Sequence, residues 1–177
     1  LLDDALAYLR DERDLRGLEP QLGWIHATAH TADLLKFLAR DPRFTAANQV
    51  RLLEAVWSKM TAAGAPVFTH AEDERLAAAL LSVVRRPDFD RTILDPWLAR
   101  FVALEKQVWS KAPPDPQTLD ASQNARNLLR SLYVLLSPPA SGTAGQGAAA
   151  PAGLGTAAAA EAAAREKVLA TSAAIRR

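Results

Sequence analysis

The chain of 177 residues has no cysteine and a single methionine. Disulfides, thiolate nucleophiles and cysteine-ligated metal sites are therefore excluded. An excess of either charge is missing too: 21 Lys and Arg stand against 20 Asp and Glu, a net charge of +1. That balance gives no electrostatic case for nucleic acid or an anionic membrane as partner. No apolar run approaches the roughly 18 residues of a membrane span. The eight glycines form no phosphate-binding fingerprint, and no serine elbow is present. No stretch alternates with the period of two that marks a strand. No cofactor is implied.

What is present is a helical chain with enough apolar residues for one real core. Hydrophobic residues make up 49% and charged residues 23%, the balance of a globular domain. Leu2, Leu6 and Leu9 begin a first helix. A second is expected over 22–40, ended by Asp41-Pro42. Thr45 can cap a third running to Met60. Thr69 with Glu72 three residues on reads as a capping box for a fourth. Asp95-Pro96 and Asp115-Pro116 read as N-cap and first helical residue of a fifth and a sixth, the last ending at Ser137-Pro138-Pro139.

These helices recur. Leu38 to Phe44 parallels Val83 to Phe89, and the same shift of 45 residues pairs Ala32 with Ala77, Leu35 with Leu80 and Leu53 with Leu98. A weaker shift of 94 relates Leu34-Leu35 and Leu38 to Leu128-Leu129 and Leu132. A two-helix unit of about 40–47 residues is the HEAT/armadillo length class. The expected fold is therefore all-α, a HEAT/armadillo-like helical repeat array of antiparallel helix pairs, in which stacked units share one core. It should occupy residues 1–137. Residues 138–156, rich in Ala, Gly and Pro, read as a linker. Residues 157–177, with an Ala-rich run broken by Glu161 and Arg165, read as a C-terminal helix. The chain opens at Leu1 in a helical pattern without an initiator methionine, as a fragment of a longer protein would.

Two of the three histidines fall in Gly23-Trp24-Ile25-His26-Ala27-Thr28-Ala29-His30-Thr31-Ala32-Asp33. On a helix over 22–40, Trp24, Leu34, Leu35 and Leu38 share the core arc. His26, His30, Asp33 and Phe37 fall on a stripe nearly opposite, at i, i+4, i+7 and i+11. Histidines at i and i+4 can share a metal or move a proton. A third ligand would have to be His70, and the set His26, His30 and His70 is the metal alternative. The shift of 45 sets Arg75 beside His30, which favours an anion or a carboxylate-bearing partner instead. The shift of 94 adds Asp120, Asn124 and Asn127. The candidate ligand-binding residues are thus Trp24, His26, His30, Asp33, Arg75, Asp120, Asn124 and Asn127; of these, His30, Arg75 and Asn124, flanked by His26, Asp33, Asp120 and Asn127, are expected as one continuous polar strip. The acids Glu72-Asp73-Glu74 are assigned to capping and to a solvated first turn. Trp24, Trp57, Trp97 and Trp109 are assigned to the core.

Arg13-Asp14-Leu15-Arg16-Gly17, then Gly23-Trp24-Ile25-His26-Ala27 with Ala29-His30 and Ala32-Asp33-Leu34, resembles the bacterial domain-of-unknown-function family 2785. Glu72 to Ala77 is similar to its second block, and Leu132-Tyr133-Val134-Leu135-Leu136 to its end. The resemblance spans about residues 10–137, without the family's N-terminal helices. It implies an all-helical, HEAT-like bacterial protein and no assigned activity. The expected function is a cytoplasmic binding or interaction module taking a protein, a peptide or a small anionic ligand. The alternative is a metal-dependent hydrolase using His26, His30 and Asp33.

Overall fold

The computed structural model describes residues 1–62, 64–137 and 154–175. Among them are seven α-helices packed against one another and one short hairpin. The helices are α1 (Leu2–Asp11), α2 (Ala27–Leu38), α3 (Ala46–Met60), α4 (Glu72–Val84), α5 (Leu94–Val108), α6 (Pro116–Leu136) and α7 (Leu154–Ile175). The hairpin pairs β1 (Leu18–Glu19) antiparallel with β2 (Gly23–Trp24). This small element was not expected, because two residues per strand are too few to show a period.

Several starts follow the sequence signals. The Thr45 side chain accepts from the Asn48 N–H at 3.3 Å, and Asp115 accepts from the Thr118 N–H at 2.8 Å ahead of Pro116. Others depart from them. The second helix begins at Ala27, not at residue 22. The Thr69 box does not form; α4 is capped by Ala71, and Glu72 turns back to the His70 N–H at 2.8 Å. Asp95 is no cap either, since α5 begins at Leu94 after a 3-10 turn over Arg91–Ile93, and Asp95 pairs with Lys167 of α7.

Helix α4 sits between α2 and α6. Helices α1 and α3 pack together, as do α5 and α7. Helices α3 and α5 are joined by the Trp97 indole N–H, which donates to the Leu53 carbonyl at 3.0 Å, and by the edge-on packing of Trp57 against Phe101. The core runs through all seven helices, with Leu35, Leu52, Leu76, Leu80, Leu128 and Leu132 fully buried. Each recurs at the three- and four-residue spacing that puts apolar side chains on one helix face. Two fully buried or nearly buried polar side chains fix loops to this core. Gln49 donates to the Asp88 carbonyl at 3.3 Å and accepts from the Asp90 N–H at 3.2 Å. Arg86 donates to the carbonyls of Ala39 and Asp41 at 2.7 and 2.8 Å, closing the end of α2 from the end of α4.

The expected core arc on the second helix needs correction. Leu35 is fully buried and Leu38 partly so, but Trp24 is 58% exposed and Leu34 is 38% exposed. Because the helix starts five residues late, Trp24 is not on it at all. The buried face is Thr28, Ala29, Thr31, Ala32 and Leu35. Of the tryptophans, Trp97 is buried and Trp57 packs against the core, whereas Trp109 is exposed. The linker expected over 138–156 lies almost wholly outside the described residues.

Chemical denaturation checks these faces. Leu35→Ala and Leu80→Ala are each expected to cost about 2–5 kcal/mol, and Leu34→Ala less than about 1 kcal/mol. Equal costs at Leu34 and Leu35 would show that the faces are misassigned.

Candidate functional site

The site is built where the hairpin feeds into α2. Gly23 has φ +78, a conformation that a side chain disfavours, and this turns the chain back along β1. The return is held by the Ile25 N–H on the Gly17 carbonyl at 3.0 Å and the His26 N–H on the Arg16 carbonyl at 3.1 Å. His26 then takes a left-handed conformation, φ 46 and ψ 38, and caps α2 without a side-chain hydrogen bond. Ala71 does the same at the start of α4, with φ 66 and ψ 23. These are the two non-glycine residues of positive φ among the described residues, and they stand 45 residues apart. A non-glycine residue in this region is uncommon.

The two caps bring four side chains into one cluster. The Trp24 ring lies 5.1 Å from the His26 ring and 5.9 Å, edge-on, from that of His70. His26 stands 5.9 Å from His30 and 6.4 Å from His70, ring centre to ring centre. All three histidines of the chain therefore meet. Beneath them is Glu72, only 2% exposed. Its Oε2 accepts the His70 N–H, and its Oε1 lies 3.3 Å from His26 Nε2. That second contact is at ion-pair distance but is not aligned as a hydrogen bond. Among the described residues, His26 Nε2 and Thr28 Oγ1 are the buried side-chain polar atoms without a hydrogen-bond partner, and both belong to the start of α2.

His70 is seated by Gly17. A Cβ at residue 17 would meet the His70 ring at 2.3 Å, so a glycine is required there for close approach. Glu72 is the residue that sequence reasoning missed, having been assigned to a cap. The signal was available: the shift of 45 sets Ala71 opposite His26, which places Glu72 at the first position of the neighbouring helix.

The polar strip is only partly assembled. Arg75 on α4 reaches across to α2, but to Asp33 at 2.7 Å rather than towards a ligand. Lys36 holds the other Asp33 oxygen, also at 2.7 Å. Burial raises the pKa of the Asp33 carboxyl, but Lys36 and Arg75 together outweigh it, so the group lies below the usual carboxylate range. Asn124 is fully buried and turned inward. It accepts from the Phe68 N–H at 2.8 Å and donates to the Pro66 carbonyl at 3.1 Å, fixing the segment before α4. Asn127 accepts from Gln123 and Arg130 on its own helix. Asp120 is half-buried on α6 and meets none of the others by a hydrogen bond or ion pair among the described residues. Although the rings of His26, His30 and His70 gather, no three His, Asp or Glu side chains among the described residues are arranged to hold a metal ion.

Chemical denaturation tests the Gly17–His70 approach. Gly17→Ala is expected to cost about 1–3 kcal/mol by overpacking. The same change in a His70→Gly background should cost much less, since both the ring and the Cβ, which it would meet at 2.8 Å, are gone. Equal penalties in the two backgrounds would contradict the close approach.

No helix among the described residues is long and apolar enough to cross a membrane. No curated protein and no solved structure matched the chain. A family model described as a protein of unknown function, DUF2785, matches residues 1–134, so it takes in α1 and stops before α7. The cluster of Gly17, Trp24, His26, His30, His70 and Glu72 lies inside that span, and the chain belongs to the DUF2785 family.

Proposed function

We propose that the chain is a helical-repeat binding module whose recognition face runs from Trp24 along α2 to Phe37. The observation that carries this reading is Trp24. Its indole is 58% exposed yet packed against His26, which is itself buried beside Glu72. An aromatic side chain held in place before binding loses little freedom on contact, and such residues anchor interfaces.

The neighbouring surface supports the same reading. His30, Leu34 and Phe37 are exposed at i, i+4 and i+7 on α2, an outward stripe continuous with the Trp24 cluster. Phe37 is 63% exposed, with Lys36 and Arg40 stacked against its ring. Beside the stripe is a groove of about 680 Å³ between α1 and α2, walled by Tyr8, Ile25 and Leu34, with His30 on one side and Glu12 and Asp14 on the other. The acidic wall and the commitment of Arg75 to Asp33 favour a polypeptide segment over a small anion. The repeat organisation is supported by the left-handed caps at His26 and Ala71 and by the packing of α2 against α4. A cytoplasmic setting fits a chain without cysteine.

Panning a displayed peptide library on the full chain tests the proposal. Enriched peptides should bind Trp24→Ala at least about tenfold more weakly than the parent, and Phe37→Ala should weaken them too, with both variants keeping the parent's stability. Peptides that bind the two variants as tightly as the parent would refute the assignment of this face.

A further inference from the structure

Helix α7 lies outside the residues matched by the family model, and it makes a cleft with α6 that shares no lining residue with the Trp24 face. The cleft has a local cause. The face that α7 packs against the bundle carries Ala160, Ala164, Val168 and Ile175, all buried. One turn beyond Val168 that face carries Ser172, half-buried and too small to fill the space a leucine would occupy. The gap holds about 210 Å³.

Its walls are apolar. Leu129 and Tyr133 of α6 form one side and Leu169 and Ile175 of α7 the other. Val134, 68% exposed, stands at the edge and belongs to the aromatic-aliphatic segment closing α6, which the Trp24 face leaves unused. The polar groups are two guanidinium ions and the hydroxyls of Tyr133 and Ser172, with no carboxylate in the lining. Arg126 is already paired with Glu105. Arg130 is exposed; it donates to Asn127 at 3.2 Å and has no carboxylate at ion-pair distance among the described residues. An apolar slot with, among the described residues, no carboxylate paired to the cation at its edge complements an apolar chain ending in one negative charge.

We infer that the α6–α7 cleft binds a free medium-chain carboxylic acid, with the chain between Leu129, Tyr133 and Leu169 and the carboxylate on Arg130. The apolar walls supply affinity through buried area. The guanidinium supplies the preference for carboxylate over an uncharged head. Ser172 supplies the room.

Calorimetric titration of the full chain with octanoate, octanol and acetate tests this. Octanoate should bind saturably at one site per chain, octanol about tenfold more weakly for want of the charge-assisted contact, and acetate not measurably. Arg130→Gln should bring octanoate down to the level of octanol. Ser172→Leu should abolish binding of both while leaving the thermal midpoint equal or higher. The inference is overturned if octanoate does not saturate, if octanol binds the parent as well as octanoate does, or if either variant binds octanoate like the parent. Self-association of the parent that Ser172→Leu removes would assign the cleft to a second copy and would equally overturn it.

Discussion

Burying the Glu72 carboxylate removes hydration worth several kcal/mol, which the protein must replace. Two features do so: the His70 N–H donates to Oε2, and the acid occupies the first position of α4, where the helix dipole favours negative charge. His26 Nε2 stands beside it, 3.3 Å from Oε1, at ion-pair distance but not aligned as a hydrogen bond. The two contacts each constrain something else. The hydrogen bond to the His70 backbone fixes the turn into α4. The contact with His26 ties the start of α2 to the start of α4. Through the rings stacked on His26, the same contact sets where Trp24 stands in solvent.

Around this buried pair, polar side chains divide into those spent inside and those left out. Asn124, Gln49 and Arg86 are used up on loop backbones, and each joins elements more than 35 residues apart in sequence. Asp33, Lys36 and Arg75 satisfy one another between α2 and α4. What remains accessible on the hairpin and α2 is His30 with the aromatic and aliphatic side chains, and the charged groups beside them, Arg40 and Arg75 against Glu12 and Asp14, are of both signs. Recognition by this surface would therefore rest on shape and on aromatic contact more than on fixed charge.

Much of the helical frame was legible because its signals are local. Thr45, Asp115-Pro116 and the leucine spacing of α4 and α6 each act within one or two turns. The two left-handed caps, His26 and Ala71, stand 45 residues apart, the expected shift, but two caps do not make a repeat array. The start of α2 was not legible. Gly23-Trp24-Ile25-His26 carries apolar residues at helical spacing, but the positive φ at Gly23 and His26 depends on pairing with residues 16–19, which periodicity does not register. The same long-range cause moved Trp24 from the expected core to the surface. Glu72 was misread for a related reason. Its spacing from Thr69 suits a cap, but burial beneath His26 is a tertiary contact. Arg75 pairs with Asp33 and Asn124 turns inward to the backbone of Pro66 and Phe68, and sequence spacing does not say where a side chain points.

The central claim is that His26 and Glu72 act together to join the hairpin and α2 to α4. A double-mutant cycle on stability, with His26→Ala, Glu72→Gln and the pair combined, measures this directly. A coupling of at least about 1 kcal/mol is expected, as found for residues in one polar network. Costs that add to within about 0.3–0.5 kcal/mol would mean the two are independent, and the account of the site would fail.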